Sequence, residues 1–224
     1  MIITQTPLRI SLGGGGTDLP SYYTQREGFL VAAAINKYVF VGINRTFSED
    51  YTIKYSSMEH VKTIAEIRHP IVREVLAMHD VPPFTEIVSL ADIPAGTGLG
   101  SSGTFTVGLL RAIHAFKREH ISPADVAEEA CRIEIDILNE PVGKQDQYIA
   151  SYGGLTCLTF HRDGTVDAAG LAISDDTLYD LEENLLMFFT GYSREAGSVL
   201  ADQKERSEQR CDEMLHNLDT VKDL

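Results

Sequence analysis

Residues 94–103, PAGTGLGSSG, set three glycines at alternate positions, Gly96, Gly98 and Gly100, directly before two hydroxyls, Ser101 and Ser102. Glycine opens backbone conformations that a side chain forbids, so consecutive N–H groups can converge on an anion. After the serines, Phe105, Leu109, Ile113 and Phe116 recur at helical spacing, which puts the loop and both serines at a helix N-terminus. Such an end favours negative charge and carries unpaired N–H donors. The stretch reads as a cradle for a polyphosphate. Three other readings stand beside it. As GxGxxG it is a poor match, since a dinucleotide fingerprint wants a strand leading into it and an acidic residue about twenty positions on, within a βαβ unit. As a Walker A loop it fails, having no Gly-Lys-Ser/Thr at its end. A glycine-rich turn into a helix needs no ligand at all.

The composition narrows the choice. With 224 residues and 43% apolar side chains, the chain suffices for one large domain or two small ones. Its formal net charge of −14 argues against nucleic acid and anionic membrane as partners, because both are recruited by a cationic face. Any phosphate site must be local. Cys131, Cys157 and Cys211 are odd in number and widely spaced, which fits free thiols in a reducing compartment, and a cytoplasmic address is expected. No apolar run approaches a membrane span, and residues 1–10 lack the pattern of a signal peptide.

Upstream, residues 2–12 alternate as a strand around Pro7 and run into Gly13, Gly14, Gly15 and Gly16, then Thr17 and Asp18. The chain must turn there, with short polar side chains at hand for a ligand or for an Asx-type turn. Residues 29–46 predict two strands broken near Asn36-Lys37, and residues 51–55 a further strand. His69-Pro70 opens a helix, and residues 84–90 form the strand that delivers the chain to the glycine loop. His60, His69 and His79 show no metal-ligand spacing and read as surface or capping residues.

Downstream, Ser122-Pro123-Ala124-Asp125 carries an N-cap, a first-turn proline and an acid. Ala127, Ala130, Cys131, Ile137 and Leu138 give that helix its apolar stripe, with Glu134 in the middle. A carboxylate there is either bridged inside the fold or faces a cation in a site. Asp146 falls on a short helical piece between glycine breaks. Residues 155–160 and 165–171 predict a hairpin across Arg162-Asp163-Gly164, residues 185–190 a strand, and the remainder a charged helical tail.

Several of these strings resemble one family. Pro-x-Gly-x-Gly-Leu-Gly-Ser-Ser resembles the second motif of the GHMP small-molecule kinases, and Pro7-Leu8-Arg9-Ile10-Ser11-Leu12-Gly13 with Thr17-Asp18 resembles the first. Gln145-Asp146-Gln147-Tyr148 is similar to the version in heptose 7-phosphate kinases and, less closely, in fucose-type kinases; Asp146 lies one residue further from its glycine turn than in mevalonate kinases. The resemblance implies an α+β protein, with a ribosomal protein S5 domain 2-like N-terminal domain over residues 1–183. Residues 184–224 would then begin a ferredoxin-like C-terminal domain, incomplete here, since the third glycine-rich motif is missing.

It further implies ATP held by Pro94, Gly96, Gly98, Leu99, Gly100, Ser101 and Ser102, and Mg²⁺ held by Ser102 and Glu134. Asp146 would be the catalytic base, with Arg9 beside the transferring phosphate. The substrate would be a sugar phosphate at Gly15, Thr17 and Asp18, its phosphate met by Lys144 and Arg194 unless these are solvated surface charges. An unphosphorylated sugar such as fucose, a sensor that binds ATP and sugar without turnover, and assembly into a homo-oligomer stay open.

Overall fold

The computed structural model describes residues 1–188, 191 and 212–223. A mixed sheet forms one layer and helices cover one of its faces. β1 (Ile2–Gly13) pairs antiparallel with the long β2 (Gly28–Arg45), β3 (Tyr51–Lys54) pairs with β4 (Met58–Val61), and β5 (Thr85–Ala91), β6 (Leu155–Phe160) and β7 (Val166–Gly170) complete the set. The order is β4-β3-β5-β2-β6-β7, with β1 also on β2; among the described residues only the β3–β5 pairing is parallel.

Residues 29–46 are one strand, not two. Around Asn36-Lys37 the register against β1 slips, from Pro7 opposite Tyr38 to Arg9 opposite Ala34. The irregularity bends β2 without ending it. Residues 28–33 of β2 pair with β6 and residues 39–45 with β5, so the bend is where the strand changes neighbours.

The helices are α1 (Pro20–Tyr23), α2 (Pro70–Met78), α3 (Ser101–Lys117), α4 (Pro123–Cys131), α5 (Gln145–Tyr152), α6 (Asp175–Glu183) and α7 (Asp212–Asp223). α3 crosses β1 and β2 closely because Gly108 leaves room: a Cβ there would lie 2.9 Å from Thr6 Oγ1. Val107, Leu109, Leu110, Ile113, Val72 and Leu76 join Val41, Ile43 and Ile87 in the main core. α4 begins as its sequence requires, with Ser122 Oγ accepting from the Asp125 N–H at 3.1 Å. It then widens into a π-helical turn, Arg132–Ile137. The extra residue turns Ile133 and Glu134 inward and leaves Ile137 exposed, so the expected stripe holds through Cys131 and fails at Ile137.

The expected hairpin is β6–β7. Residues 185–188 are not a strand, and Leu186 and Phe188 face solvent; residues 189 and 190, the end of that expected strand, lie outside the described residues. α6 buries nothing, so apolar periodicity had nothing to signal it. Within the charged tail, α7 lays Leu215 and Leu218 on Tyr22, and Asp219 takes a hydrogen bond from Tyr22 Oη at 2.6 Å. Among the described residues no helix is long and apolar enough to cross a membrane. Cys131 and Cys157 are free thiols; Cys211 lies outside the described residues.

Candidate active site

The glycine loop lies between β5 and α3. Gly96, Gly98 and Gly100 have φ of 77°, 79° and 76°, in the left-handed region that disfavours other residues. Gly100 is the N-cap of α3 and contributes no capping side chain, so the first-turn N–H groups depend on something else for partners. A Cβ on Gly100 would lie 2.9 Å from Asp146 Cγ, and one on Gly103 would lie 2.7 Å from Asp146 Cβ. These contacts are why α5 can deliver Asp146 against the start of α3.

Arg9 locks this arrangement. From β1, its Nε donates to Asp146 Oδ1 at 2.6 Å, its Nη1 donates to the Gly98 carbonyl at 2.8 Å, and its backbone N–H donates to the Leu99 carbonyl at 3.2 Å. Gln145, its amide turned to suit its neighbours, accepts from Arg9 Nε at 2.9 Å and donates to Ser11 Oγ at 2.9 Å. Asp146 Oδ2 takes no hydrogen bond from the described residues.

Beside Asp146 stands the pair that the sequence suggested for a metal ion. Ser102 Oγ, in the first turn of α3, donates to Glu134 Oε1 at 2.5 Å, and Gln147 Nε2 donates to Glu134 Oε2 at 2.8 Å. Glu134 is buried, with no salt-bridge partner among the described residues. Burial pushes its carboxyl up to about 7; the hydrogen bonds from Ser102 and Gln147 pull the other way, and the Asp146 charge adds to the rise. Among the described residues no salt bridge holds Glu134 inside the fold. What exists is a hydroxyl and a carboxylate, both hard oxygen donors, with a surplus of negative charge. That donor set suits Mg²⁺. Gln147 Oε1 is buried without a hydrogen-bond partner, a second oxygen in need of a donor or an ion.

The first glycine loop closes the other side. Asp18 is buried, its Oδ2 accepting from the Gln145 N–H at 3.1 Å and its Oδ1 from the Gly16 N–H at 3.2 Å. Burial raises its pKa first; the Gln145 hydrogen bond opposes this, and the Asp146 charge raises it again. Gly143 must be glycine here, since a Cβ would lie 2.0 Å from Asp18 Oδ2. Gly15 is half-buried beside Ser11.

Two sequence expectations need correction. Thr17 is fully buried, with its hydroxyl 2.8 Å from the Gly14 carbonyl and 3.0 Å from the Phe29 carbonyl. It holds the loop rather than presenting a group to a ligand. Lys144 is also enclosed: Nζ donates to Glu128 Oε1 at 3.0 Å, Glu128 Oε2 at 3.1 Å and the Gly164 carbonyl at 2.7 Å. Its ammonium has no donor left for a substrate phosphate. Arg194 lies outside the described residues. Sequence reasoning missed Gln145 and Gln147; their position on either side of Asp146 was the available signal.

A glycine loop at a helix N-terminus, an acid pinned to it by an arginine, and a Ser–Glu oxygen pair thus meet at the start of α3. Residues 61–154 match the family described as the GHMP kinases N terminal domain. That stretch carries a GHMP kinase N-terminal domain. The chain is 28% identical over 228 residues to D-glycero-alpha-D-manno-heptose 7-phosphate kinase of Campylobacter jejuni, spanning 96% of this chain and 67% of that protein. It is 30% identical over 196 residues to mevalonate kinase of Methanothermobacter thermautotrophicus, spanning 87% of this chain and 60% of that protein. Among solved structures, a D-glycero-D-manno-heptose 1-phosphate kinase from Bacteroides thetaiotaomicron shares the fold with a TM-score of 0.79 at 24% identity, over 96% of this chain and 74% of the other.

Proposed function

We propose that the chain is the nucleotide-binding and catalytic part of an ATP-dependent kinase that phosphorylates the anomeric hydroxyl of a heptose 7-phosphate, acting in the cytoplasm. The observation that carries the chemistry is the meeting of Asp146, Arg9 and the Ser102–Glu134 pair at the N-terminus of α3. The substrate rests on the likeness to the C. jejuni kinase. In this reading residues 1–183 are the S5-like domain and residues 184–224 open a ferredoxin-like one.

Phosphoryl transfer requires in-line positioning and charge neutralisation. The backbone of residues 96–102 would hold the ATP phosphates, and Ser102 and Glu134 would hold Mg²⁺. The ion, when bound, neutralises charge on the phosphoryl oxygens. Asp146 accepts the hydroxyl proton at Oδ2, since Arg9 engages Oδ1. An anomeric hydroxyl is the most acidic of a sugar, so a modest base suffices. Arg9 keeps that carboxylate at the loop and offsets charge beside it.

The enclosure of Lys144 favours a second reading, a kinase for an unphosphorylated sugar such as fucose, because the cation first assigned to the substrate's own phosphate is spent on Glu128. ADP release measured across sugars and sugar phosphates, with phosphorus NMR to locate the new phosphate, decides between them. A 1,7-bisphosphate product supports the first reading. A sugar 1-phosphate formed only from free sugars supports the second, and ATP binding without turnover on any sugar points to a sensor.

A further inference from the structure

Three helices bring together side chains that the kinase chemistry leaves unused. His79 caps the C-terminus of α2, His114 is in the last turn of α3, and Glu129 is on α4. The two carboxylate oxygens each face one ring: Glu129 Oε1 is 2.9 Å from His79 Nε2, and Glu129 Oε2 is 3.0 Å from His114 Nε2. The rings meet edge to face with centroids 4.8 Å apart. One ligand atom from each residue lies within 4.8 Å of the others. A tetrahedral zinc ion with ligand bonds of 2.0–2.2 Å spaces its ligand atoms about 3.4 Å apart, so small side-chain adjustments suffice.

Two details distinguish this group from an ordinary ion pair. The His79 side chain is 8% exposed, and its Nε2, although near the carboxylate, is not aligned as a hydrogen-bond donor to it. It is a buried nitrogen aimed into the cluster and, among the described residues, out of line for a well-formed hydrogen bond, which leaves its lone pair open to an ion. His114 is supported from behind, with Nδ1 at 3.1 Å from Glu119 Oε2. A carboxylate on Nδ1 fixes the tautomer that leaves Nε2 as the ligand atom, the usual backing of a metal-bound histidine.

We propose that His79, His114 and Glu129 form a second metal site, selective for Zn²⁺, that clamps α2, α3 and α4 together. Two imidazoles and a carboxylate suit zinc, whereas Mg²⁺ prefers oxygen donors alone. The site is separate from the Ser102–Glu134 pair: His114 lies twelve residues along α3 from Ser102, about 18 Å at helical rise. It does join the two helical segments that carry those residues, since α3 begins at Ser102's turn and α4 runs into the turn bearing Glu134.

The test uses chelator-stripped, tag-free protein titrated with Co²⁺ alone as the spectroscopic probe. The expected result is one Co²⁺ per chain with visible ligand-field absorption, displaced by one equivalent of Zn²⁺ and not by millimolar Mg²⁺. Glu129→Gln and His114→Ala should weaken Zn²⁺ binding by about a hundredfold or more, whereas Ser102→Ala should leave it unchanged. Zn²⁺ should also raise the Tm of the unsubstituted protein. Absence of the Co²⁺ absorption from the unsubstituted protein overturns the proposal whether or not the variants fold. Zn²⁺ binding of equal affinity in Glu129→Gln overturns it as well.

Discussion

Arg9 and Asp146 are joined across 137 residues by a contact of 2.6 Å from Nε and one of 2.5 Å from Nη2, both to Oδ1. The same guanidinium holds the Gly98 carbonyl at 2.8 Å, so one cation ties β1, the phosphate loop and α5. A lysine has a single ammonium and no fork for this work. Arg9→Lys should lower kcat by about tenfold or more and speed amide exchange in residues 94–100. Unchanged kcat together with unchanged exchange would remove Arg9 from the positioning role.

The close approach of α3 and α5 gives a graded prediction for the loop glycines. Gly98 has φ +79° with nothing within 4 Å of an added Cβ, so Gly98→Ala should cost only the left-handed penalty of about 1–2 kcal/mol. Gly103→Ala would press a methyl to 2.7 Å from Asp146 Cβ and 3.2 Å from the Gln147 N–H nitrogen. It should cost more, about 2–3 kcal/mol, and displace the candidate base. Denaturant midpoints and kcat for the two variants check the order, and a Gly98→Ala more damaging to both would reverse it.

Glu134 makes the metal-free protein pH-sensitive. Its carboxyl is raised from 4.5 to about 7, so between those values the folded state binds more protons than the unfolded. The associated stability is present in full below pH 4.5 and is lost as pH rises through 7, a change of about 3 kcal/mol. Glu134→Gln should flatten this part of the stability curve, and saturating Mg²⁺ should flatten it in the unsubstituted protein. Parallel curves for the two proteins without metal would contradict the buried, unpaired carboxylate.

Lys144 should behave as a structural cation. Its ammonium bridges Glu128 and the Gly164 carbonyl, linking α4 to the β6–β7 turn. Lys144→Ala is expected to cost about 1–3 kcal/mol in stability and to leave the KM for a sugar phosphate unchanged. A tenfold rise in that KM with unchanged Tm would return Lys144 to the substrate.

The parts of this molecule written locally were legible in its sequence. The Ser122 cap, the Ser101 start of α3, the glycine turn at Gly164 and the pairing of β6 with β7 each follow from adjacent residues. The readings that failed depend on partners far along the chain. Asn36-Lys37 has turn composition, yet β2 passes through it because β5 and β6 take its two halves. The π turn at Arg132–Ile137 leaves no mark on a 3.6-residue period, which puts Ile137 on the buried stripe although it is exposed in the fold. Lys144 is a plain surface lysine until Glu128, sixteen residues earlier, is folded against it. His79, His114 and Glu129 have no ligand spacing in sequence, since three separate helices supply them.

The most direct measurement of the central claim is paired: turnover and ATP affinity of Asp146→Asn, with Mg²⁺ present. Asparagine keeps the shape of the side chain against Gly100 and Gly103 but cannot accept a proton at Oδ2. In Asp146→Asn, kcat should fall by about a hundredfold or more, with the Kd for ATP within about twofold of the unsubstituted protein. Near-normal turnover would contradict the assignment of Asp146 as the base.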